Sequence, residues 1–283
     1  MLSYRHGFHA GSFVDVHKHV ALVMLLSHLR RKETPFCCLD THAGGGLYDL
    51  RSRFAQKNRE FEAGIARLHG SAQPPPAVAA YLEIVAAVNA PGETRFYPGS
   101  PLIARRLLRP QDRMILVELH SSEVPILKSA FRGDPQVSVH HRDAFEALPA
   151  LVPPRERRGL VFIDPAYEVD GEFDRVVESL KSAWRRWPTG IYAVWYPVQR
   201  RQPLGRFRRL LRTSGVHAIL MNELFVARDT APNRLTGSGL MVVNPPWEFD
   251  RELQAVVDWL DPLLSRERHA RPRIEWLAPQ KSG

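Results

Sequence analysis

Cysteine is scarce in this chain of 283 residues: Cys37 and Cys38 are the only two, and they are adjacent within an apolar stretch. Neighbouring cysteines make no useful cross-link between distant parts of a fold, so a disulfide framework is excluded. A chain of this length can bury a sufficient hydrophobic core without one. The scarcity of cysteine predicts a reducing, cytoplasmic setting.

Long apolar runs are also missing. None approaches the roughly 20 residues that a membrane-spanning helix needs. The first fifteen residues contain Arg5, His6, His9 and Asp15, which do not fit the layout of a secretory signal peptide. The sequence therefore predicts neither membrane attachment nor secretion.

Acidic residues are outnumbered by basic ones. Lys and Arg total 39 against 30 for Asp and Glu, a formal net charge of +9. Such a balance favours a polyanionic partner over a small neutral substrate. The segment between Val198 and Ser214 has six arginines and no acid, which predicts contact with phosphates.

A metal site is not expected. His9, His17 and His19 are close in sequence, but residues two apart on a helix diverge, and no cysteine or acid completes a ligand set.

Two common phosphate-binding motifs are absent as well. The chain has no G-x-x-x-x-G-K-[ST] loop, and Asp49 stands where a G-x-G-x-x-G pattern needs its last glycine. The segment 40–46, Asp-Thr-His-Ala-Gly-Gly-Gly, instead matches loosely the Asp-x-Phe-x-Gly-x-Gly loop with which Rossmann-like methyltransferases hold S-adenosylmethionine. Glycines there let backbone N–H groups approach a ligand closely.

Strands and helices alternate along most of the chain. A helix is predicted from Ser12, its cap, to about Arg31. Alternation predicts an α/β fold with a mainly parallel sheet covered on both faces, in a single domain spanning 1–283. A helical pattern interrupted by three prolines predicts a small helical insertion at about 50–95. The predicted strands cover 35–41, 114–119, 137–140, 159–163, 190–197, 216–227 and 239–244.

Acids stand at, or shortly after, the carboxyl ends of three successive predicted strands, as Glu118, Asp143 and Asp164. The carboxyl ends of parallel strands meet at one edge of a sheet, where ligands bind, so these acids are expected in one crevice. Glu118 suits the two hydroxyls of a ribose, and Asp143 with Ala144 suits the edge of an adenine ring.

The turn Asp164-Pro165-Ala166-Tyr167 ends the most apolar of these strands. Asp164 and the Pro165 carbonyl offer hydrogen-bond acceptors, and Tyr167 offers a flat ring. Two acceptors and a stacking face suit an exocyclic amino group on a planar base. The similar run Asn244-Pro245-Pro246-Trp247 comes after the cofactor positions are already supplied, so it is predicted to be structural.

Several blocks of residues occur in an order along the chain that is typical of one known family. They are 4–6, 8–11, 15–16, 18–19, 39–44, 97–104, 118–120, 189–192 and 195–197. With these blocks the sequence closely resembles RlmJ, the bacterial 23S rRNA adenine-N6 methyltransferase family, over nearly the whole chain. The resemblance implies a Rossmann-like class I fold, the cofactor S-adenosylmethionine, a monomeric enzyme and methylation of an adenine in 23S rRNA.

The resemblance also implies roles for individual residues. The family's N-terminal tyrosine, which lies close to the substrate base, falls on Tyr4. Its catalytic turn falls on the run from Asp164 to Tyr167, with Asp164 as the catalytic residue and Pro165 and Tyr167 as contacts of the substrate base. The chain departs from the family pattern Asp-Pro-Pro-Tyr at Ala166, which restores a backbone donor and loosens the turn. The implied cofactor contacts are Lys18, His19, His42, Ser100, Glu118, Asp143, Ala144 and Asp164.

Three other functions stay open at this point. A non-catalytic RNA-binding protein with an impaired turn at Ala166 would bind RNA without transferring methyl groups. A DNA adenine-N6 methyltransferase would share the turn but prefer a duplex. A small-molecule methyltransferase would leave the arginine-rich segment without a purpose.

Overall fold

The computed structural model describes residues 5–199, 204–228, 235–265 and 272–278. Short 3-10 helices form at His6–Phe8, Glu60–Ala63 and Ile65–Leu68. The α-helices are α1 Phe13–Arg30, α2 Arg53–Asn58, α3 Pro76–Ala86, α4 Ser100–Leu107, α5 Glu123–Ala130, α6 Ala144–Leu151, α7 Glu172–Arg186, α8 Leu204–Thr213 and α9 Phe249–Leu264. The strands are β1 Cys37–Asp40, β2 Leu47–Asp49, β3 Phe96–Pro98, β4 Arg113–Glu118, β5 Val137–His141, β6 Gly159–Ile163, β7 Ile191–Val198, β8 Ile219–Phe225, β9 Gly237–Val243 and β10 Arg273–Ala278.

The main sheet has the strand order β10-β8-β9-β7-β6-β1-β4-β5. The pairs from β5 through β7 are parallel, whereas β9 runs antiparallel to both of its neighbours. Numbered among themselves without β10, the sheet strands follow the order 3-2-1-4-5-7-6 with an antiparallel seventh strand, which is the class I methyltransferase topology. The predicted α/β fold is confirmed.

The central strands alternate their side chains between two cores. Cys38 of β1 packs in the core that contains α1, while Cys37 and Leu39 pack in the core on the opposite face with α7. Every residue of β6 is buried, as expected for a central parallel strand. A Cβ on Gly159 would lie 1.9 Å from the Cys37 carbonyl oxygen, so glycine permits the close pairing of β6 with β1.

Helix α1 begins where predicted, with the Ser12 hydroxyl accepting from the Asp15 backbone N–H at 3.4 Å. His17 lies on its sheet side, where Nδ1 is 2.8 Å from Ser238 Oγ and Nε2 is 2.5 Å from Asn222 Oδ1. Trp195 Nε1 donates to the same Ser238 oxygen at 3.0 Å. The buried ring is thus held by polar groups of β7, β8 and β9.

Buried histidines predict a loss of stability in mild acid. Burial lowers the pKa of His17 to about 4, of His19 to about 3 and of His42 to about 4, each from 6.5. As pH falls below 6.5, the unfolded chain takes up these protons before the native one, so the free energy of unfolding falls. Asp40 acts in the opposite direction, because burial raises its pKa to about 7 and the native state keeps a proton that the unfolded chain releases.

Three histidines against one aspartate give a net decrease in unfolding free energy from pH 7 to pH 5. A single buried histidine accounts for about 2 kcal/mol of that decrease over the whole interval from pH 7 to pH 5. Urea unfolding at the two pH values measures it, and His17→Asn should reduce the difference by about this amount. An unchanged pH difference in the variant would contradict the assignment of His17 as a buried neutral base.

Two features of the fold are not predicted by the sequence patterns. Strands β2 and β3 form a separate antiparallel ribbon, and β10 pairs antiparallel with β8 at the sheet edge. The ribbon strands have three residues each, too few for a periodicity to show.

The segment 244–247 lies at the opposite edge of the sheet from Asp164, because β9 runs antiparallel to β7. Asn244 Nδ2 donates to the carbonyls of Pro188 and Gly190, both at 2.8 Å, and Trp247 is 82% exposed. Its prediction as a structural turn agrees with these contacts.

Candidate active site

Two neighbouring cavities open at the carboxyl ends of β1, β4 and β6. The first cavity lies along the loop after β1, residues 41–46, and along the ends of β4 and β6. The second cavity is enclosed by α1, by β7 and by the turn that follows β6. His6 and Ala166 line both cavities, so the two meet at the turn that carries Asp164.

Seven of the eight predicted cofactor residues line the first cavity. They are His19, His42, Ser100, Glu118, Asp143, Ala144 and Asp164. The eighth, Lys18, lines the second cavity instead.

A glycine in the loop after β1 lets the backbone approach the carboxylate of Glu118 closely. Gly44 has a φ of +61°, a conformation that favours glycine, and its N–H donates to Glu118 Oε2 at 2.7 Å. The other Glu118 oxygen accepts from the His120 N–H at 2.6 Å. The Glu118 carboxylate is therefore fixed in orientation at the wall of the first cavity.

His19 is held by a tyrosine of β3, which in turn contacts a tyrosine of α3. Its Nδ1 lies 2.8 Å from the Tyr97 hydroxyl, which in turn lies 2.9 Å from the Tyr81 hydroxyl of α3. Both tyrosines are fully buried. Burial lowers the pKa of His19 to about 3, so the ring in the cavity wall is neutral near pH 7.

Asp143 caps α6 and is covered by an arginine. Its Oδ1 accepts from the N–H groups of Phe145 and Glu146, at 2.8 and 3.2 Å. Its Oδ2 accepts from Arg175 at 3.1 Å, and the Arg175 guanidinium lies 4.4 Å from the centre of the Phe145 ring. Sequence reasoning missed Phe145 and Arg175. The aromatic residue after Asp143-Ala144 was an available signal, whereas nothing near Arg175 in the sequence indicates its position.

The first cavity is predominantly acidic. Carboxylates of Glu118, Asp143, Asp164 and Glu172 line it, and the lining arginine, Arg175, is already paired with Asp143. Glu172 Oε2 is buried without a hydrogen-bond partner. This set of groups fits a ligand that carries positive charge, as S-adenosylmethionine does at its sulfonium and ammonium groups.

A buried chain of charges reaches Asp164 from α1. Lys18 Nζ lies 2.6 Å from Asp164 Oδ2 and 2.8 Å from Asp15 Oδ1, and its side chain is 3% exposed. The other Asp15 oxygen accepts from the Gly11 N–H at 2.9 Å and lies 3.0 Å from His6 Nε2. One ammonium group therefore bridges two carboxylates at the boundary of the cavities.

The charges of this chain reinforce one another. Burial alone lowers the pKa of Lys18, but the carboxylates of Asp15 and Asp164 outweigh it and raise the pKa above its usual range. Burial alone raises the pKa of Asp15, yet His6 and Lys18 bring it well below its usual range. Lys18 is cationic and Asp15 anionic at neutral pH.

Tyr167 faces the second cavity from a strained position. Its φ of +53° is uncommon for a bulky residue. Its ring packs against Phe173 with 4.4 Å between centroids, and its hydroxyl donates to the Trp195 carbonyl at 2.8 Å. Burial raises the pKa of Glu172, which follows this loop, and the backbone N–H groups of the loop act against that shift. These contacts hold the turn in its conformation.

Ala166 stands at the position where the family resemblance implies proline. Its backbone N–H makes no hydrogen bond to another described residue. A proline there would remove no hydrogen bond and would reduce the freedom of the unfolded chain. We expect Ala166→Pro to raise the free energy of unfolding by about 0.4–1 kcal/mol and the rate of methyl transfer several-fold. Urea unfolding and single-turnover assays measure the two effects, and a decrease in both would show that the turn is built for alanine.

Other predicted positions have different outcomes. Pro165 is buried and lines neither cavity. Tyr4 lies outside the described residues, as do Arg200 and Arg201. His9 pairs with Glu60 at 2.9 Å, away from the partners of His17 and His19, so the three histidines do not converge.

The arginine-rich segment is partly neutralised by acids from other elements. Arg206 pairs with Asp174 of α7 at 2.7 Å. Arg208 pairs with Glu223 of β8 at 2.7 Å and with Glu275 of β10 at 3.2 Å. The segment itself has no acid, and for these two arginines the acids of other elements supply the partners. The contact of this segment with phosphates stays a prediction.

Close relatives share this chain's full length. It is 42% identical over 280 residues to a protein of Escherichia coli K12 named ribosomal RNA large subunit methyltransferase J, covering 99% of this chain and all of the relative. The Haemophilus influenzae protein of the same name is also 42% identical, over 281 residues, with the same coverage. A crystal structure of a Legionella pneumophila protein superposes with a TM-score of 0.88 at 34% identity, covering 95% of this chain and 98% of that one.

A family model described as ribosomal RNA large subunit methyltransferase D, RlmJ, matches residues 33–278. Methyltransferases of this kind take their methyl group from S-adenosylmethionine, which is the cofactor that the acidic first cavity fits. With this match and the two full-length relatives, the chain belongs to the RlmJ family of ribosomal RNA large subunit methyltransferases.

Proposed function

We propose that this protein methylates the exocyclic N6 amino group of a specific adenine in 23S rRNA. The observation that carries the proposal is the meeting of two cavities at the Asp164 turn: Asp164 lines the first, and its carboxylate pairs with Lys18, which lines the second. A methyl donor in one cavity and a base in the other would be separated only by this turn.

The first cavity would hold S-adenosylmethionine. The fixed carboxylate of Glu118 suits its ribose hydroxyls, and Asp143 with Ala144 suits its adenine. The neutral imidazoles of His19 and His42 and the Ser100 hydroxyl complete the predicted contacts without adding positive charge.

The second cavity would receive the target adenine after it leaves its stack. Tyr167, packed on its other side by Phe173, offers the stacking face, and Trp195 lines the same cavity. Asp164, at the boundary of the two cavities, would accept one amino hydrogen. The Pro165 carbonyl would accept the other, although Pro165 is buried and lines neither cavity in this structure. The N-terminal tyrosine Tyr4 would lie close to this base, as the family resemblance implies.

The chemical task of the protein is alignment, because the lone pair of an adenine amino group is delocalised into the ring. S-adenosylmethionine supplies a methyl group that is already strongly electrophilic. Asp164 and the Pro165 carbonyl draw the nitrogen toward tetrahedral geometry and stabilise the positive charge that develops on it. Asp164 or water then takes the amino proton.

Lys18 would serve this step by orienting Asp164. Its ammonium group fixes one carboxylate oxygen at 2.6 Å, which leaves the other oxygen to accept from the base. Asp15 and His6 hold Lys18 in turn.

The reaction would take place in the cytoplasm on a monomeric enzyme. The buried free thiols of Cys37 and Cys38 suit a reducing compartment. None of the described helices is long and apolar enough to cross a membrane.

Transfer of labelled methyl from S-adenosylmethionine to protein-free large-subunit rRNA tests the substrate assignment. Small-subunit rRNA and duplex DNA are the matched controls. We expect label in large-subunit rRNA alone. Preferential labelling of duplex DNA would favour a DNA methyltransferase, and binding of rRNA without transfer would favour a non-catalytic protein.

A further inference from the structure

A pair of half-buried aromatic rings lies beside the second cavity. Phe8, at the end of the 3-10 helix His6–Phe8, packs edge-on against Phe54 of α2, with 5.1 Å between ring centroids. His6 and His9, which flank Phe8 in the sequence, line the second cavity. The ring pair is therefore next to the entrance through which a target base would pass.

Three cations lie over these rings. Arg5 and Arg53 are 5.4 and 4.9 Å from the centre of the Phe54 ring, and Lys57 is 5.5 Å from the centre of the Phe8 ring. Arg53 and Lys57 are exposed. An aromatic ring holds a cation in place without neutralising its charge.

Arg53 and Lys57 belong to the helical segment 50–95. The other Lys and Arg side chains of this segment have oxygen partners. Arg51 pairs with Glu93, Arg59 with Glu62 and Arg95 with Asp49, and Arg67 donates to the carbonyls of Leu263 and Ser265. In contrast, no described carboxylate lies within ion-pair distance of Arg5, Arg53 or Lys57. The unneutralised charge of the segment is thus concentrated at the edge of the second cavity.

We infer that this surface, formed by Arg5, Phe8, Arg53, Phe54 and Lys57, binds the backbone phosphates of the RNA strand that flanks the target adenosine. The inference rests on the proposed function for the identity of the nucleic acid. A base that enters the second cavity brings its own phosphates and those of its neighbours to the cavity edge. The cations at this edge are held by aromatic rings and are not paired with carboxylates. They can therefore bind those phosphates without first breaking an ion pair.

The double substitution Arg53→Gln/Lys57→Gln tests the surface against a matched control, Arg51→Gln/Arg95→Gln. Both variants remove two positive charges from exposed side chains of the same segment, but the control removes cations that already have acid partners. The probe for binding is a labelled single-stranded RNA oligonucleotide of mixed sequence, titrated at several salt concentrations. Methyl transfer to large-subunit rRNA is measured in parallel.

For the first variant we expect affinity for the oligonucleotide to fall about tenfold. The slope of log affinity against log salt should fall by about 1.4, because each phosphate contact on a single strand contributes about 0.7. The control should match the wild type. The KM for rRNA should rise while kcat at saturating RNA stays unchanged, because neither residue lines a cavity.

Equal affinities and salt slopes for the two variants would overturn the inference. This result is separable from failure of the proposed function. Wild-type transfer with equal binding by both variants would leave the function standing and overturn the surface. A smaller slope of log affinity against log salt in the first variant alone, with no methyl transfer by the wild type, would support the phosphate-binding surface and contradict the proposed function.

Discussion

Replacing Asp164 with alanine lowers the rate of methyl transfer at least about a hundredfold, the effect expected for loss of one aligned transition-state contact. The substitution removes the acceptor for the amino hydrogen and the charge that stabilises the developing cation. Lys18 keeps Asp15 as a partner at 2.8 Å, so the fold should survive. Single-turnover assays with saturating rRNA measure the rate.

Asp170 supplies the matched control, since it is an exposed carboxylate in the same loop. Asp170→Ala should transfer at the wild-type rate. Binding of rRNA should persist in both variants, because the inferred phosphate contacts lie at other residues. Near-normal transfer by Asp164→Ala would remove Asp164 from the mechanism.

Replacing Lys18 with methionine has the largest expected effect on stability. It leaves the Asp15 and Asp164 carboxylates, 1% and 11% exposed, without their shared cation. Breaking a buried pair by removing one partner costs about 3–5 kcal/mol of unfolding free energy. Methyl transfer should also fall sharply, because Asp164 loses the contact that orients it.

A second substitution separates charge from packing. In Lys18→Met/Asp15→Asn, the introduced side-chain amide oxygen can still accept from the Gly11 N–H, but the more buried of the two carboxylates is gone. We expect the double variant to unfold at higher urea concentration than Lys18→Met while remaining inactive. If the double variant is less stable than Lys18→Met, the loss of unfolding free energy in the single variant comes mainly from packing and not from an unpaired charge.

The placement of acids could be predicted from the sequence because it depends on local rules. Buried strands that alternate with helices form a parallel sheet, and residues at the carboxyl ends of β4 and β6 then meet at one edge. Glu118, Asp143 and Asp164 were expected in one crevice for this reason, and all three line the first cavity.

Contacts between distant elements could not be predicted in this way. Lys18 and Asp164 are separated by 146 positions, and their pairing requires α1 to lie across β6. Likewise, Arg208 has no acid nearby in the sequence, yet its partners come from β8 and β10. Such pairings depend on how helices pack on the sheet, which hydrophobic periodicity does not specify.

The position of Phe8 beside Phe54 shows the same limit. The sequence contains aromatic and basic residues in both segments, but only the folded chain brings the 3-10 helix His6–Phe8 against α2. The contrast between cations on rings and cations on carboxylates is likewise visible only in three dimensions.

The most direct test of the central claim is to identify the nucleoside that the wild-type protein produces. Large-subunit rRNA methylated in vitro is digested to nucleosides and analysed by mass spectrometry against standards. We expect N6-methyladenosine as the sole new product, at one adenosine per rRNA molecule. A methyl group on a ribose, on a carbon of adenine or on another base would contradict the assignment of the Asp164 turn to an exocyclic amino group.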